Sequence, residues 1–327
     1  MADERSVRPR VEPVLVTLPD GCRLAARAFG PEDAPPVLFV AGGDGTMLQW
    51  RGLVPELCVD AAERELFAAA GCGSSLSADL RVVAYDARGS GWSSRSHGVC
   101  TTTAQAAADG LALAAALTRR PFHIVGHGLG SAVALQLALA SSSLVRSLVL
   151  LAGTPGGDRL VLPGREVVAA RGALSVVLDE VAEAGAVERE DLEELEALVR
   201  RDVESGFTPD FVHAHPALLG HLAAEAARHL IAEASFTSHG FSGMSAVGGR
   251  GEQFATHDLV ARLGEVAVPT LVVHGKDDAI LPPGNGQSLA DGIPGARLVL
   301  LEAGHAVTIE RAADVSAAVR AHVLLHP

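Results

Sequence analysis

Cysteine is scarce in this chain: four in 327 residues, at Cys22, Cys58, Cys72 and Cys100. Their wide, irregular spacing matches neither a disulfide framework nor a metal knuckle, and reads as a reduced, cytoplasmic protein. Positive charge is also short. Lys+Arg number 26 against 39 Asp+Glu, and the formal net charge of −13 is the wrong sign for a nucleic-acid partner or an anionic membrane surface. No apolar run approaches the roughly 18 residues that a membrane span needs. The opening MADERSVRPR carries Asp3 and Glu4 where a secretory leader would have its apolar core. The glycines of GHGLG lack a Walker lysine, and no dinucleotide fingerprint follows the first strand, so no nucleotide cofactor is expected. What the chain does have is 48% hydrophobic residues, enough for a sizeable core in one large α/β domain with an insertion.

Short apolar runs alternate with longer helix-like stretches, the pattern of a mostly parallel sheet covered on both faces. Strands are expected at 13–17, 23–28, 37–41, 81–85, 122–126, 147–152, 270–274 and 297–301. The later ones are apolar throughout, as in strands buried on both sides. Ala-rich helices are expected at about 54–70, 103–118, 130–140, 285–292 and 309–324. Between 157 and 264 the strand signals stop. Helices take over at 165–183, 188–204 and 210–234, the last opening after Thr208-Pro209-Asp210, and the glycine-rich 238–251 follows. This layout predicts a core of 1–156 and 265–327, with 157–264 as a helical cap over the C-terminal edge of the sheet.

Sites in open parallel sheets form beyond the C-terminal ends of the strands. The strand at 122–126 runs into Gly126-His127-Gly128-Leu129-Gly130 and then a helix, the setting of a nucleophile elbow of the type G-x-S-x-G. Gly128 holds the central position. Gly275-Lys276-Asp277-Asp278 follows the strand at 270–274, and Glu302-Ala303-Gly304-His305 follows the last strand. The order is therefore elbow, acid, histidine.

On these segments the sequence resembles the α/β-hydrolase superfamily over nearly its whole length. Val40-Ala41-Gly42-Gly43-Asp44-Gly45 is similar to the loop that supplies one oxyanion-hole amide, and DARGSGWSS (86–94) to the family's D-x-R-G-x-G-x-S turn. The stretches AGGDGTMLQW and GNGQSLADGIPGARLVLLEAGHA look closest to the branch of methylesterases that act on anthracyclines and other aromatic polyketides. The resemblance implies an α/β-hydrolase fold with an eight-stranded mostly parallel sheet and a helical cap. It implies His305 oriented by Asp278 as the catalytic pair, with the amides of Gly43 and Leu129 as the oxyanion hole. Asp44, His127, Phe241 and Met244 are candidate substrate contacts, and no metal or organic cofactor is implied.

The departure carries as much weight as the match. Glycine has no hydroxyl, so position 128 cannot form an acyl-enzyme. The expectation is a cofactor-free acid–base enzyme of polyketide-like biosynthesis. It would make or break a C–C bond through an enolate, on a bulky, partly apolar small molecule. One alternative is hydrolysis by water that His305 activates; another is a silent binding protein. A fourth possibility is a serine hydrolase whose nucleophile was substituted. Plainer readings apply elsewhere. Ser131 packs a helix start, Ser93 and Ser94 cap a turn, and Tyr85, Asp86 and Asp277 are structural. Asp44 could equally hold its turn. His213, His215, His221, His229, His239 and His257 belong to partly exposed helices rather than a metal site, and the acidic run 188–196 is a solvated face.

Overall fold

The computed structural model describes residues 12–43, 45–94, 102–118, 120–184, 189–234 and 256–327. Eight strands form one sheet: β1 Val14–Thr17, β2 Arg23–Phe29, β3 Pro36–Val40, β4 Arg81–Tyr85, β5 Phe122–His127, β6 Val145–Leu151, β7 Thr270–Gly275 and β8 Arg297–Leu301. Their order is β1-β2-β4-β3-β5-β6-β7-β8, and only the pairings of β2 are antiparallel. The predicted α/β-hydrolase sheet is therefore present, each strand within three residues of its expected bounds.

Side-chain alternation at period two divides the core between the faces. Val37, Phe39, Val125, Val149 and Leu271 point to one, where Trp50 and Phe67 join them. Leu38, Val40, Ile124, Leu148 and Val272 point to the other. The helices beside the sheet are α1 Ala61–Ala69, α2 Thr103–Leu117 and α3 Leu129–Ala140 before the insertion. After it come α8 Gly284–Gly292, the single turn α9 Val307–Glu310 and α10 Ala312–Leu325. α1 and α10 cover the first face, α2, α3 and α8 the second. Each fully buried Leu or Val contributes about 1.5–3 kcal/mol.

Three expectations need correcting. β8 is not buried on both faces; it is the sheet's edge, and Leu300 is 42% exposed. The helix expected at 54–70 starts only at Ala61, after a 3-10 turn at Pro55–Leu57. The helix expected over 210–234 is two, α6 Pro209–Ala214 and α7 Pro216–Ala234. Pro216 has no N–H to continue the ladder and forces His215 out of the helical region, with φ −126° and ψ 50°.

Between β6 and β7 the described elements are helical, with α4 Arg165–Ala184 and α5 Arg189–Glu204 preceding α6 and α7. Leu174, Leu195, Val199, Ala227 and Leu230 form a small core of their own. Two polar clasps tie this block to the sheet domain. Arg51 lies between Glu63 of α1 and Glu225 of α7, bonding both carboxylates, and His221 Nε2 stands 3.1 Å from Glu63. Glu63, His221 and Glu225 are close enough to hold a cation, but the Arg51 guanidinium already neutralises the carboxylates. The second clasp is at Glu310, whose carboxylate accepts from the amide and hydroxyl of Thr208 and from the Gly304 amide (2.9 Å).

Candidate active site

Gly128 stands alone between β5 and α3, with φ 55° and ψ −121°, a conformation that costs an L-residue of the order of 1–3 kcal/mol. Glycine takes it without strain. The Ser131 hydroxyl donates to the Gly128 carbonyl at 2.7 Å, so it caps the turn and is 1% exposed. Leu129 opens α3, and the first amides of a helix have no acceptor within the helix.

Asp278 is buried just beyond β7, whereas its neighbour Asp277 is exposed. Asp278 Oδ1 accepts from the amides of Ile280 (2.9 Å) and Leu281 (2.8 Å), and Oδ2 lies 2.8 Å from His305 Nδ1. Burial alone would raise this carboxyl's pKa. The facing His305, together with hydrogen bonds from His274 and His305, outweighs burial and holds it well below the usual carboxylate range. His274, itself fully buried, donates from Nε2 to the Leu281 carbonyl at 2.7 Å, and Asp278 Oδ2 is 3.3 Å from the same nitrogen.

His305 sits in the turn between β8 and α9. In its neutral form the bond to Asp278 places the proton on Nδ1 and leaves Nε2 basic. That nitrogen faces the elbow: a Cβ built on Gly128 would lie 3.2 Å from it. The turn is pinned from several sides. The Ala306 amide donates to the Gly206 carbonyl (2.8 Å), and Glu310 holds the Gly304 amide.

The structure thus brings Gly128, Asp278 and His305 to one place at the ends of β5, β7 and β8. Gly43 is exposed in the turn after β3. That loop is braced by Asp86, which accepts from the Met47 amide (2.7 Å) and the Trp92 amide (2.9 Å), and by Ala87 N–H on the Gly45 carbonyl (2.7 Å). Asp44, Phe241 and Met244 lie outside the described residues. His127 departs from the expectation that it contacts substrate. Its ring is 3% exposed, and both nitrogens are taken up by protein, Nδ1 by Gln49 (2.8 Å) and Nε2 by the His305 carbonyl (2.9 Å). Burial, followed by the neighbouring His305, pushes its pKa down to about 3. Sequence reading missed Gln49, His274 and Glu310, polar residues in segments with no catalytic spacing; only their contacts mark them. Of the histidines between 157 and 264, His213 is exposed, while His257 is buried beside Thr103.

A parallel sheet whose C-terminal edge carries a strained turn, a buried acid and a histidine defines the class of α/β hydrolases. The family model described as alpha/beta hydrolase fold matches residues 35–312, and the chain belongs to that family. It is 30% identical over 284 residues to a presumed carbamate hydrolase, RutD, from Agrobacterium fabrum, covering 85% of this chain and 88% of that one. RutD from Variovorax paradoxus, described in the same words, is 30% identical over 285 residues, covering 87% and 90%. A hydrolase from Pseudomonas aeruginosa superposes with a TM-score of 0.67 at 25% identity, over 95% of this chain and 98% of that structure. An enol-lactonase from Burkholderia xenovorans gives 0.69 at 21%, over 95% and 100%, a likeness of fold. These relatives overturn the expected non-hydrolytic, C–C bond-forming role: they are named for hydrolysis, and none of the names points to antibiotic or polyketide tailoring. Among the described residues no helix is long and apolar enough to cross a membrane.

Proposed function

We propose that this protein is a hydrolase of a small molecule with an ester- or carbamate-type carbonyl, in which His305, held by Asp278, activates water directly. The observation that carries this reading is the 3.2 Å between His305 Nε2 and the Cβ position of Gly128, the carbon that in serine hydrolases bears the hydroxyl. Glycine stands there instead, so the attacking oxygen comes from water. Its proton passes to Nε2 as the oxygen bonds to the carbonyl carbon. Charge gathers on the carbonyl oxygen, which the Gly43 and Leu129 amides receive. The tetrahedral centre then collapses, and the departing alcohol or amine takes the proton back from Nε2. Asp278 remains ionised throughout and stabilises the imidazolium. The relatives' names support carbamates beside esters as substrates. Residues 157–264 serve as the cap and the remainder as the core.

The test is turnover of a panel of aryl esters and carbamates, with intact-mass analysis and a fluorophosphonate probe. His305→Ala should lower kcat about 10²–10⁴-fold, no acyl adduct should accumulate, and the probe should leave the protein unlabelled. Undiminished turnover by His305→Ala, or a stable acyl adduct on the wild type, overturns the reading.

A further inference from the structure

We infer that Gln49 and His127 are positioning residues, a relay that holds the oxyanion loop and the His305 turn in one register. The inference rests on the hydrolase reading above and adds to it two side chains bonded to the protein on either side of the elbow.

The direction of each link follows from groups that can play only one part. The His305 carbonyl can only accept, so His127 Nε2, 2.9 Å away, carries the proton. His127 Nδ1 is then an acceptor, and the group 2.8 Å from it must be the amide nitrogen of Gln49. That fixes the Gln49 side-chain oxygen, which accepts from the Gly42 amide at 2.6 Å. The chain therefore runs from Gly42 N–H to Gln49, to His127, to the backbone of His305. It bridges the β3 loop and the β8 turn across the top of β5, and every donor meets an acceptor.

The packing leaves little room for an alternative. A Cβ on Gly42 would stand 2.7 Å from the His127 carbonyl and 3.3 Å from Gln49 Nε2, so loop and relay are in close contact. The His127 ring lies 4.7 Å from the His305 ring and 6.4 Å from Trp50, which meets it edge-on. A proton on Nδ1 would face the Gln49 amide hydrogens. Rotating that amide would then leave the Gly42 N–H without its acceptor. Burial keeps His127 neutral, in agreement with this geometry. The consequence is mechanical: displacing Gln49 lets the oxyanion amides and the base drift apart, and misplacements of about 1 Å cost on the order of 10²-fold in rate.

The experiment uses the full chain labelled with ¹⁵N-histidine, and p-nitrophenyl acetate as the activity probe. In the wild type His127 should show the Nε2–H tautomer and should not titrate between pH 5 and 8. Gln49→Leu, folded by circular dichroism, should lose that single tautomer and lower kcat about 10-fold while KM stays within twofold. Gln49→Glu keeps an acceptor for Gly42 and offers His127 a carboxylate. It should recover most of kcat, with His127 now titrating. A folded Gln49→Leu that retains both the wild-type tautomer and kcat overturns the relay. Should the wild type not turn over the probe, the hydrolase reading fails on that probe. The His127 tautomer in Gln49→Leu then decides the relay alone, an unchanged signal overturning it.

Discussion

At the scale of a single residue, position 128 decides the proposed chemistry. Gly128→Ser would place a hydroxyl against His305 Nε2 and build a complete nucleophile–base–acid set. The variant should become labelled by a fluorophosphonate and show burst kinetics on aryl esters, and the wild type should do neither. It should also lose about 1–3 kcal/mol of stability, because serine must adopt φ 55°; urea denaturation measures the loss. Legibility at this scale is uneven. Asp278 and His305 could be placed together because each lies in the turn just after a strand. His127 was readable as present at the site but misread in role, since a motif gives position and not burial. Gln49 bonds a residue 78 positions away, a relation that no local pattern encodes.

At the scale of elements, strands were legible because their apolar runs are continuous, only five to seven residues long and bounded by turn residues, too short for helices. β8 kept the apolar composition of an interior strand while occupying the edge, since sheet order is a tertiary property. The break at Pro216 was readable in principle, but the apolar period of α7 continues that of α6 and masked it. The single turn α9 matters beyond its four residues, because its last residue, Glu310, joins the His305 turn to the start of α6. Glu310→Ala leaves the Thr208 and Gly304 donors without their acceptor. It should cost about 1–3 kcal/mol by chemical denaturation and should lower kcat as well. Unchanged stability would show that water replaces the carboxylate.

At the scale of the whole molecule, the fold stores histidines in their neutral form. Burial lowers the pKa of His123 to about 4 and that of His127 to about 3, and shifts His257 and His322 down as well. The unfolded chain takes up these protons near pH 6.5, whereas the native state does not. The stabilisation is therefore complete above pH 6.5 and is lost as pH falls towards the folded values. Each imidazole contributes a slope of up to about 1.4 kcal/mol per pH unit. Calorimetry should show Tm level from pH 7.5 to about 6.5 and falling from there to pH 5, and His123→Asn should flatten that fall.

The bond from the Ala306 amide to Gly206, beside the Glu310 clasp, reaches further still. The segment that carries His305 is stitched to the helices between β6 and β7 rather than to the sheet alone. Exchanging those helices with a relative's would transplant half of the mooring of His305. A chimaera would stay active only if the donor brought its own equivalents of Gly206, Thr208 and Glu310. On the proposed hydrolase reading, whatever those helices select and the placing of His305 would be inherited together, as one graft.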